Sequence, residues 1–164
     1  NILQPGPGVG GHCIAVDPWF IVSKTPEEAQ LIHTARKVND RKPLWVIDKV
    51  KIAIADFLQE NPNKTDKDVT LACYGLAFKP DIDDLRESPA LKITQQLASL
   101  HSGITLGIEP NIQKLPKNTS KIKLSTLDYA IQEADVHLML VDHKEFKKIT
   151  VQLDNVIDTK GIWN

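Results

Sequence analysis

Cysteine is scarce in this chain of 164 residues: Cys13 and Cys73 are the only two. They have no companion spacing of the CxxC kind, so neither a disulfide framework nor a zinc site is expected, and no metal is assigned. Long apolar runs are missing as well. Stretches such as Val136 to Val141 fall far short of the roughly 20 residues a membrane helix needs, and the first residues lack the regions of a signal peptide. The chain therefore reads as soluble and cytoplasmic, with no membrane partner. Neither sign of charge dominates: 20 Lys and Arg face 21 Asp and Glu, a formal net charge of -1, and no basic run exceeds a couple of residues. Without that electrostatic footprint, nucleic acid is not an expected partner. The first residue is Asn1 rather than Met, directly ahead of a dense Gly/Pro motif, so the sequence is expected to be cut from something longer.

What is present, 41% hydrophobic and 25% charged residues, suits one globular domain with flanking structure. Three stretches differ in pattern. Residues 1–24 read as a Gly/Pro-rich loop with a short apolar run, Trp19 to Val22, that lacks helical periodicity. Residues 25–62 read as helical. Thr25-Pro26-Glu27-Glu28 has the form of a capping box, with Pro at the first helical position and carboxylates at the positive dipole end. That predicts a helix from Pro26 to about Asn39. Pro43 then either kinks it or opens a second helix ending near Glu60. Apolar residues from Leu44 to Leu58 cover most of the circumference, which predicts burial on a second side by another subunit or domain.

Residues 63–164 alternate. Strands are predicted at Val69–Tyr74, Ile104–Ile108, Val136–Val141 and Val156–Asp158, with helices at Pro89–Leu100, capped by Ser88, and Leu127–Glu133. This is an α/β pattern: a helical segment followed by an open, parallel, Rossmann-like sheet whose ligands bind off the carboxyl ends of the strands. Those ends carry Gly75 to Lys79, Glu109-Pro110, Asp142-His143 and Asp158-Thr159-Lys160.

Two constellations could carry chemistry. Gly6-Pro7-Gly8-Val9-Gly10-Gly11 superficially fits a dinucleotide fingerprint, yet no strand precedes it and Pro7 interrupts it, so that reading is rejected. What the glycines offer is unobstructed backbone N–H groups immediately before a thiol. Cys13, with His12 beside it and Asp17 four residues on, has the surroundings to orient a thiolate and a water. Cys73, in an apolar strand, reads as core. The second constellation runs off the first strand: Tyr74-Gly75-Leu76-Ala77-Phe78-Lys79-Pro80, then Asp81, Asp83 and Asp84, then Arg86-Glu87-Ser88-Pro89. An aromatic and a lysine at a strand end can stack a base or hold a phosphate, while self-paired charges of a solvated loop explain the pattern equally well. His33, His101, His137 and His143 share no spacing and read as surface or satisfied core residues.

The strings Gly8-Val9-Gly10-Gly11-His12-Cys13-Ile14 with Asp17-Pro18, Gly75-Leu76-Ala77-Phe78-Lys79, and Asp84-Leu85-Arg86-Glu87-Ser88-Pro89 together resemble the signatures of the UDP-glucose/GDP-mannose dehydrogenase family. The resemblance implies a catalytic-cysteine loop over 1–24, a central helical dimerisation segment over 25–62 and a nucleotide-sugar-binding domain over 63–164. The family's N-terminal NAD-binding domain has no counterpart here. It implies oxidation of a nucleotide-sugar's C6 alcohol to a carboxylate with NAD, Cys13 as nucleophile and Asp17 as the carboxylate that activates water. By the same match, Gly10, Gly11, Phe78 and Lys79 would contact the UDP-sugar, with Lys160 a weaker assignment, and Arg86 and His12 would lie near the cofactor. A homodimer through the central helix is implied as well. His12 and Val16, where members acting on UDP-glucose tend to have Ser and Lys, favour the N-acetylhexosamine branch. A binding and dimerisation module without catalysis is the competing expectation.

Overall fold

In the computed structural model, which describes residues 4–150 and 152–163, two helices precede a five-stranded sheet. Residues 1–3, Val151 and Asn164 of the predicted stretches lie outside the described residues. The first helix, α1 (Cys13–Lys24), corrects the expectation of a loop. Its apolar side chains fall on all sides rather than on one stripe, which is why no period was visible, and none of its residues is buried within the chain. Thr25 ends α1 instead of starting the next helix: its N–H and its hydroxyl both donate to the Ile21 carbonyl, at 2.9 and 3.2 Å. The capping-box reading fails for that reason, and α2 starts five residues later.

α2 (Gln30–Glu60) is one continuous helix with Pro43 inside it, which settles the choice between a kink and a break in favour of a single element. Its C-terminal half buries Val46, Ile47, Val50, Ile54 and Phe57, a stripe at helical spacing. Leu44, Trp45 and Ile52 on the other side stay exposed, as do Leu31 and Val38 further up.

The sheet contains β1 (Thr70–Tyr74), β2 (Ile104–Ile108), β3 (Ile122–Leu124), β4 (Val136–Met139) and β5 (Val156–Asp158), all parallel, in the order β3-β2-β1-β4-β5. α3 (Pro89–Leu100) follows β1 and α4 (Leu127–Glu133) precedes β4. Sequence reading missed β3, whose three residues are too few to display a period. Alternation along β1 splits the core between two faces. Leu71 and Cys73 pack with Val136, Leu138, α2 and α3, whereas Ala72 and Tyr74 pack with Leu106, Ile108, Ala130 and Phe146. Ser88 caps α3, its hydroxyl accepting from the Leu91 N–H at 3.2 Å and donating to the Leu76 carbonyl at 2.7 Å. The cap therefore ties the start of α3 to the segment leaving β1.

Candidate functional site

The strand order reverses between β1 and β4, and in an open α/β sheet the crevice at that point is where ligands bind. The chain diverges there. After β1, residues 75–88 form a long excursion rather than a tight turn into α3. Its first residue, Gly75, has φ +83°, and an added Cβ would lie 2.4 Å from Val141 Cβ and 2.6 Å from Val141 O. Only glycine lets the two strand ends approach this closely.

A cavity of about 260 Å³ opens over this crevice. Ala77, Phe78, Lys79 and Pro80 form one wall, Leu140 and Val141 after β4 another, and Gly6 to Gly10 of the N-terminal loop cross it. Lys160, just past β5, completes the lining: its Nζ donates to the Pro5 carbonyl at 2.8 Å and pairs with Asp142 at 3.2 Å. Asp142 also pairs with Lys147 at 2.9 Å. Burial pushes the Asp142 carboxyl up, but the two lysines outweigh it and hold the group below its ordinary range. Lys79, by contrast, is exposed and has no ion-pair or hydrogen-bond partner among the described residues. An apolar cleft with two ammonium groups suits a molecule that joins a flat hydrophobic part to an anionic part.

The N-terminal loop is held down by three elements. The Val9 N–H donates to Asn39 Oδ1 of α2 at 3.1 Å. Gly8 sits between Pro43 of α2 and Pro89 of α3. Gly10 meets α3 and the β1 excursion so closely that an added Cβ would lie 2.6 Å from Pro89 Cδ and 2.8 Å from Glu87 O. Gly11, buried, lies against the Phe78 ring, and two residues later α1 begins with Cys13.

The structure thus gathers Gly10, Phe78, Lys79 and Lys160 around one cavity and puts Gly11 against Phe78. Cys13, Asp17, His12 and Arg86 are exposed and do not line it. Cys13 and Asp17 are four residues apart on α1, so they share a helix face. The α1 N-terminus has no side-chain cap, which leaves its first backbone N–H groups open to an acceptor beside Cys13. Arg86 forks onto Asp84, with Nη2 2.6 Å from Oδ2, and this guanidinium holds the Asp84 carboxyl at about 2. Cys73 is fully buried and its thiol is pushed up to about 12, as its core reading requires. Sequence reasoning missed Ile14, Leu140 and Val141 in the lining; that the start of α1 and the segment after β4 share one cavity leaves no local signal.

No helix among the described residues is long and apolar enough to cross a membrane, and no group of three metal-binding side chains occurs among them. An all-parallel α/β domain with a switch-point cleft crossed by a glycine loop is a nucleotide-binding architecture. Residues 72–164 match the UDP binding domain of the UDP-glucose/GDP-mannose dehydrogenase family, and residues 1–41 match that family's central domain. The chain belongs to this family. It is 58% identical to the UDP-N-acetyl-D-mannosamine dehydrogenase of Yersinia pestis and 59% identical to that of Escherichia coli (strain K12), the match covering 99% of this chain and 40% of each relative. With the NDP-N-acetyl-D-galactosaminuronic acid dehydrogenase of Ralstonia nicotianae it shares 50% identity over 100% of its length and 37% of the relative's. Among solved structures, the UDP-N-acetyl-mannosamine dehydrogenase from S. aureus superposes with a TM-score of 0.74 at 35% identity, covering 99% of this chain and 37% of that one. The UDP-D-ManNAc dehydrogenase from Pyrococcus horikoshii gives 0.78 at 28% identity, covering 100% and 38%. The chain therefore spans 40% or less of the length of these proteins.

Proposed function

We propose that this chain is the C-terminal part of a nucleotide-sugar 6-dehydrogenase that converts UDP-N-acetyl-D-mannosamine to the corresponding uronate, a charged precursor for surface polysaccharide. The observation that carries the reading is the switch-point cavity, where Phe78, Lys79 and Lys160 meet the glycine loop that leads into Cys13. The lysines match a diphosphate and the half-buried Phe78 a flat ring. Gly10 and Gly11 present backbone without side chains to the sugar.

In this reading Cys13 Sγ adds to the carbonyl carbon of the C6 aldehyde, and the new C–S bond retains the intermediate between the two oxidations. The N–H groups of the first turn of α1, which no side chain caps, would stabilise the resulting oxyanion. Once the second oxidation has turned this carbon into a Cys13 thioester, Asp17 removes a proton from the attacking water, whose oxygen displaces Sγ; the remaining water proton passes to solvent as the carboxylate and the Cys13 thiolate are released. NAD, held outside this chain, would supply the oxidising chemistry for both oxidations. The sheet of this chain does not fit NAD: the N–H groups of Leu76 and Ala77, where a dinucleotide-binding turn would hold pyrophosphate, donate to Glu109 at 2.8 and 3.0 Å. We assign NAD to a domain beyond this chain, with the exposed Arg86 and His12 facing it. The proposed divisions are residues 1–24 with the catalytic cysteine, 25–62 as the dimerisation segment and 63–164 as the UDP-sugar domain. The exposed apolar residues of α2, Leu31, Val38, Leu44, Trp45 and Ile52, form the proposed homodimer surface.

The longer protein that this reading calls for should form two NADH per UDP-N-acetyl-D-mannosamine, and Cys13→Ala should abolish carboxylate formation while UDP binding persists. Preference for UDP-N-acetylglucosamine or UDP-glucose would replace the sugar assignment. Normal turnover by Cys13→Ala would remove the covalent route, and no turnover of any sugar would leave a UDP-sugar-binding and dimerisation module.

A further inference from the structure

Two buried titratable residues, Glu109 and His143, take no part in the chemical steps above. They lie 34 residues apart, Glu109 directly after β2 and His143 in the segment that leaves β4, and both are almost inaccessible, at 5% and 0% exposure. Glu109 Oε2 accepts three hydrogen bonds: from the Leu76 N–H at 2.8 Å, the Ala77 N–H at 3.0 Å and His143 Nε2 at 3.0 Å. Its Oε1 accepts from the Asn111 N–H at 3.1 Å. His143 Nδ1 accepts from the Asp81 N–H at 2.9 Å and from Asn111 Nδ2 at 3.2 Å. A backbone N–H can only donate, so Nδ1 carries no proton and the ring donates through Nε2 to Glu109. Asp81 itself adopts φ +60°, a left-handed conformation that a non-glycine residue keeps only when its surroundings enforce it. The Asp81 carboxylate accepts from the Lys144 N–H at 3.0 Å, which adds a further tie.

The pair thus grips the β1 excursion twice, at Leu76 and Ala77 through Glu109 and at Asp81 through His143. The residues between the grips, Phe78, Lys79 and Pro80, together with Ala77 line the cavity. We infer that Glu109 and His143 are positioning residues, a linked clamp that holds Phe78 and Lys79 in the geometry that binds the nucleotide. This rests on the proposed UDP-sugar site. It also explains why a carboxylate is buried here: it is matched by three backbone N–H groups and an imidazole N–H.

The two amide replacements of His143 separate the clamp from mere core filling. A Gln side chain reaches the Nε2 position and keeps the bond to Glu109 but leaves the Asp81 N–H without an acceptor. An Asn oxygen replaces Nδ1 and keeps Asp81 while releasing Glu109. Two measurements on the 164-residue chain decide the matter: amide hydrogen exchange at Leu76, Ala77 and Asp81, and titration with UDP. His143→Gln should lose protection at Asp81 and His143→Asn should retain it. Loss of one anchor should weaken UDP binding about three- to tenfold in His143→Gln, with less effect in His143→Asn. Should His143→Gln fail to fold, Glu109→Gln, which turns one of the accepting oxygens into an amide donor, should lower protection at Leu76 and Ala77 and weaken UDP binding in the same direction. Unchanged Asp81 protection, or lost protection with unchanged UDP affinity, overturns the positioning role alone. Protected amides in a wild-type chain that binds no UDP overturn the nucleotide reading and with it the ligand side of the inference.

Discussion

Replacing Gly75 by alanine tests the switch point directly. The residue has φ +83°, and its new Cβ would overlap Val141 on three atoms, Cβ at 2.4 Å, O at 2.6 Å and Cα at 2.9 Å. The neighbour cannot swing away, because Val141 is 5% exposed and its N–H donates to the Tyr74 carbonyl at 3.1 Å. A left-handed alanine costs roughly 1–2 kcal/mol, and overpacking a tight contact adds about 1–3 kcal/mol. The loss of chain freedom in the unfolded state returns about 0.4–1 kcal/mol. Gly75→Ala should therefore destabilise the chain by about 2–4 kcal/mol, a large share of the ~5–15 kcal/mol typical of a domain. In a chain of this size that lowers Tm by roughly 4–16 °C. Urea unfolding followed by far-UV circular dichroism provides the comparison, with the slope against denaturant checked for constancy. The strain also pushes Leu76 and Ala77 off Glu109, so UDP affinity should fall alongside stability. A loss below 1 kcal/mol with intact UDP binding would refute the argument that the strand ends need glycine to approach.

Glu109 is held below its ordinary value of 4.5: burial raises it, but the bonds from His143 and the Leu76 N–H outweigh that. A carboxyl depressed in the folded state stabilises the chain fully above its unfolded value, and that contribution is lost as pH falls through the folded value. Glu109→Gln should cost about 1.5–3 kcal/mol at pH 7, and denaturation midpoints measured from pH 7 downward should converge with wild type only below 4.5. In thiol titration, one group per native chain should react, the exposed Cys13, with Cys73 reacting only on unfolding. Two equally fast thiols would contradict the buried placement of Cys73. If α2 pairs two copies, Trp45→Glu should shift sedimentation from dimer to monomer; an unchanged profile removes that surface as the interface.

The features legible in the sequence were those with a local cause. Ser88 before Pro89 marks the start of α3 because a hydroxyl and an N1 proline act within one turn, and the period of Leu91, Thr94, Leu97 and Ala98 fixes its buried face. β2 and β5 begin and end where predicted, being bounded by turn residues. Thr25 misled for an equally local reason. The same Thr-Pro-Glu-Glu can cap a new helix or end an old one, and the choice depended on whether Ile21 already belonged to a helix. Of the candidate site, Phe78, Lys79 and Lys160 were legible from the strand-end rule. The link between Glu109 and His143 was not: both were visible at strand ends, yet only the sheet order, which makes β1 the neighbour of both β2 and β4, brings them together across the loop that leaves it.

That sheet order also explains how a Rossmann-like domain came to face its cleft differently from a dinucleotide site. In a dinucleotide turn the N–H groups after β1 point at pyrophosphate, and a short glycine segment leads at once into a helix. Here the same N–H groups point down onto a carboxylate from β2, and an anion placed there would meet Glu109 in repulsion. Positive charge is instead displaced outward, to Lys79 on the excursion and Lys160 beyond β5, on the side covered by the Gly/Pro loop. On the function proposed above, an anionic ligand would be directed away from the floor of the crevice and towards the glycine run that precedes Cys13. The burial of Glu109 and the exposure of Lys79 are thus two parts of one arrangement: the first fixes the loop and closes the dinucleotide position, and the second offers a charge where the N-terminal loop passes overhead.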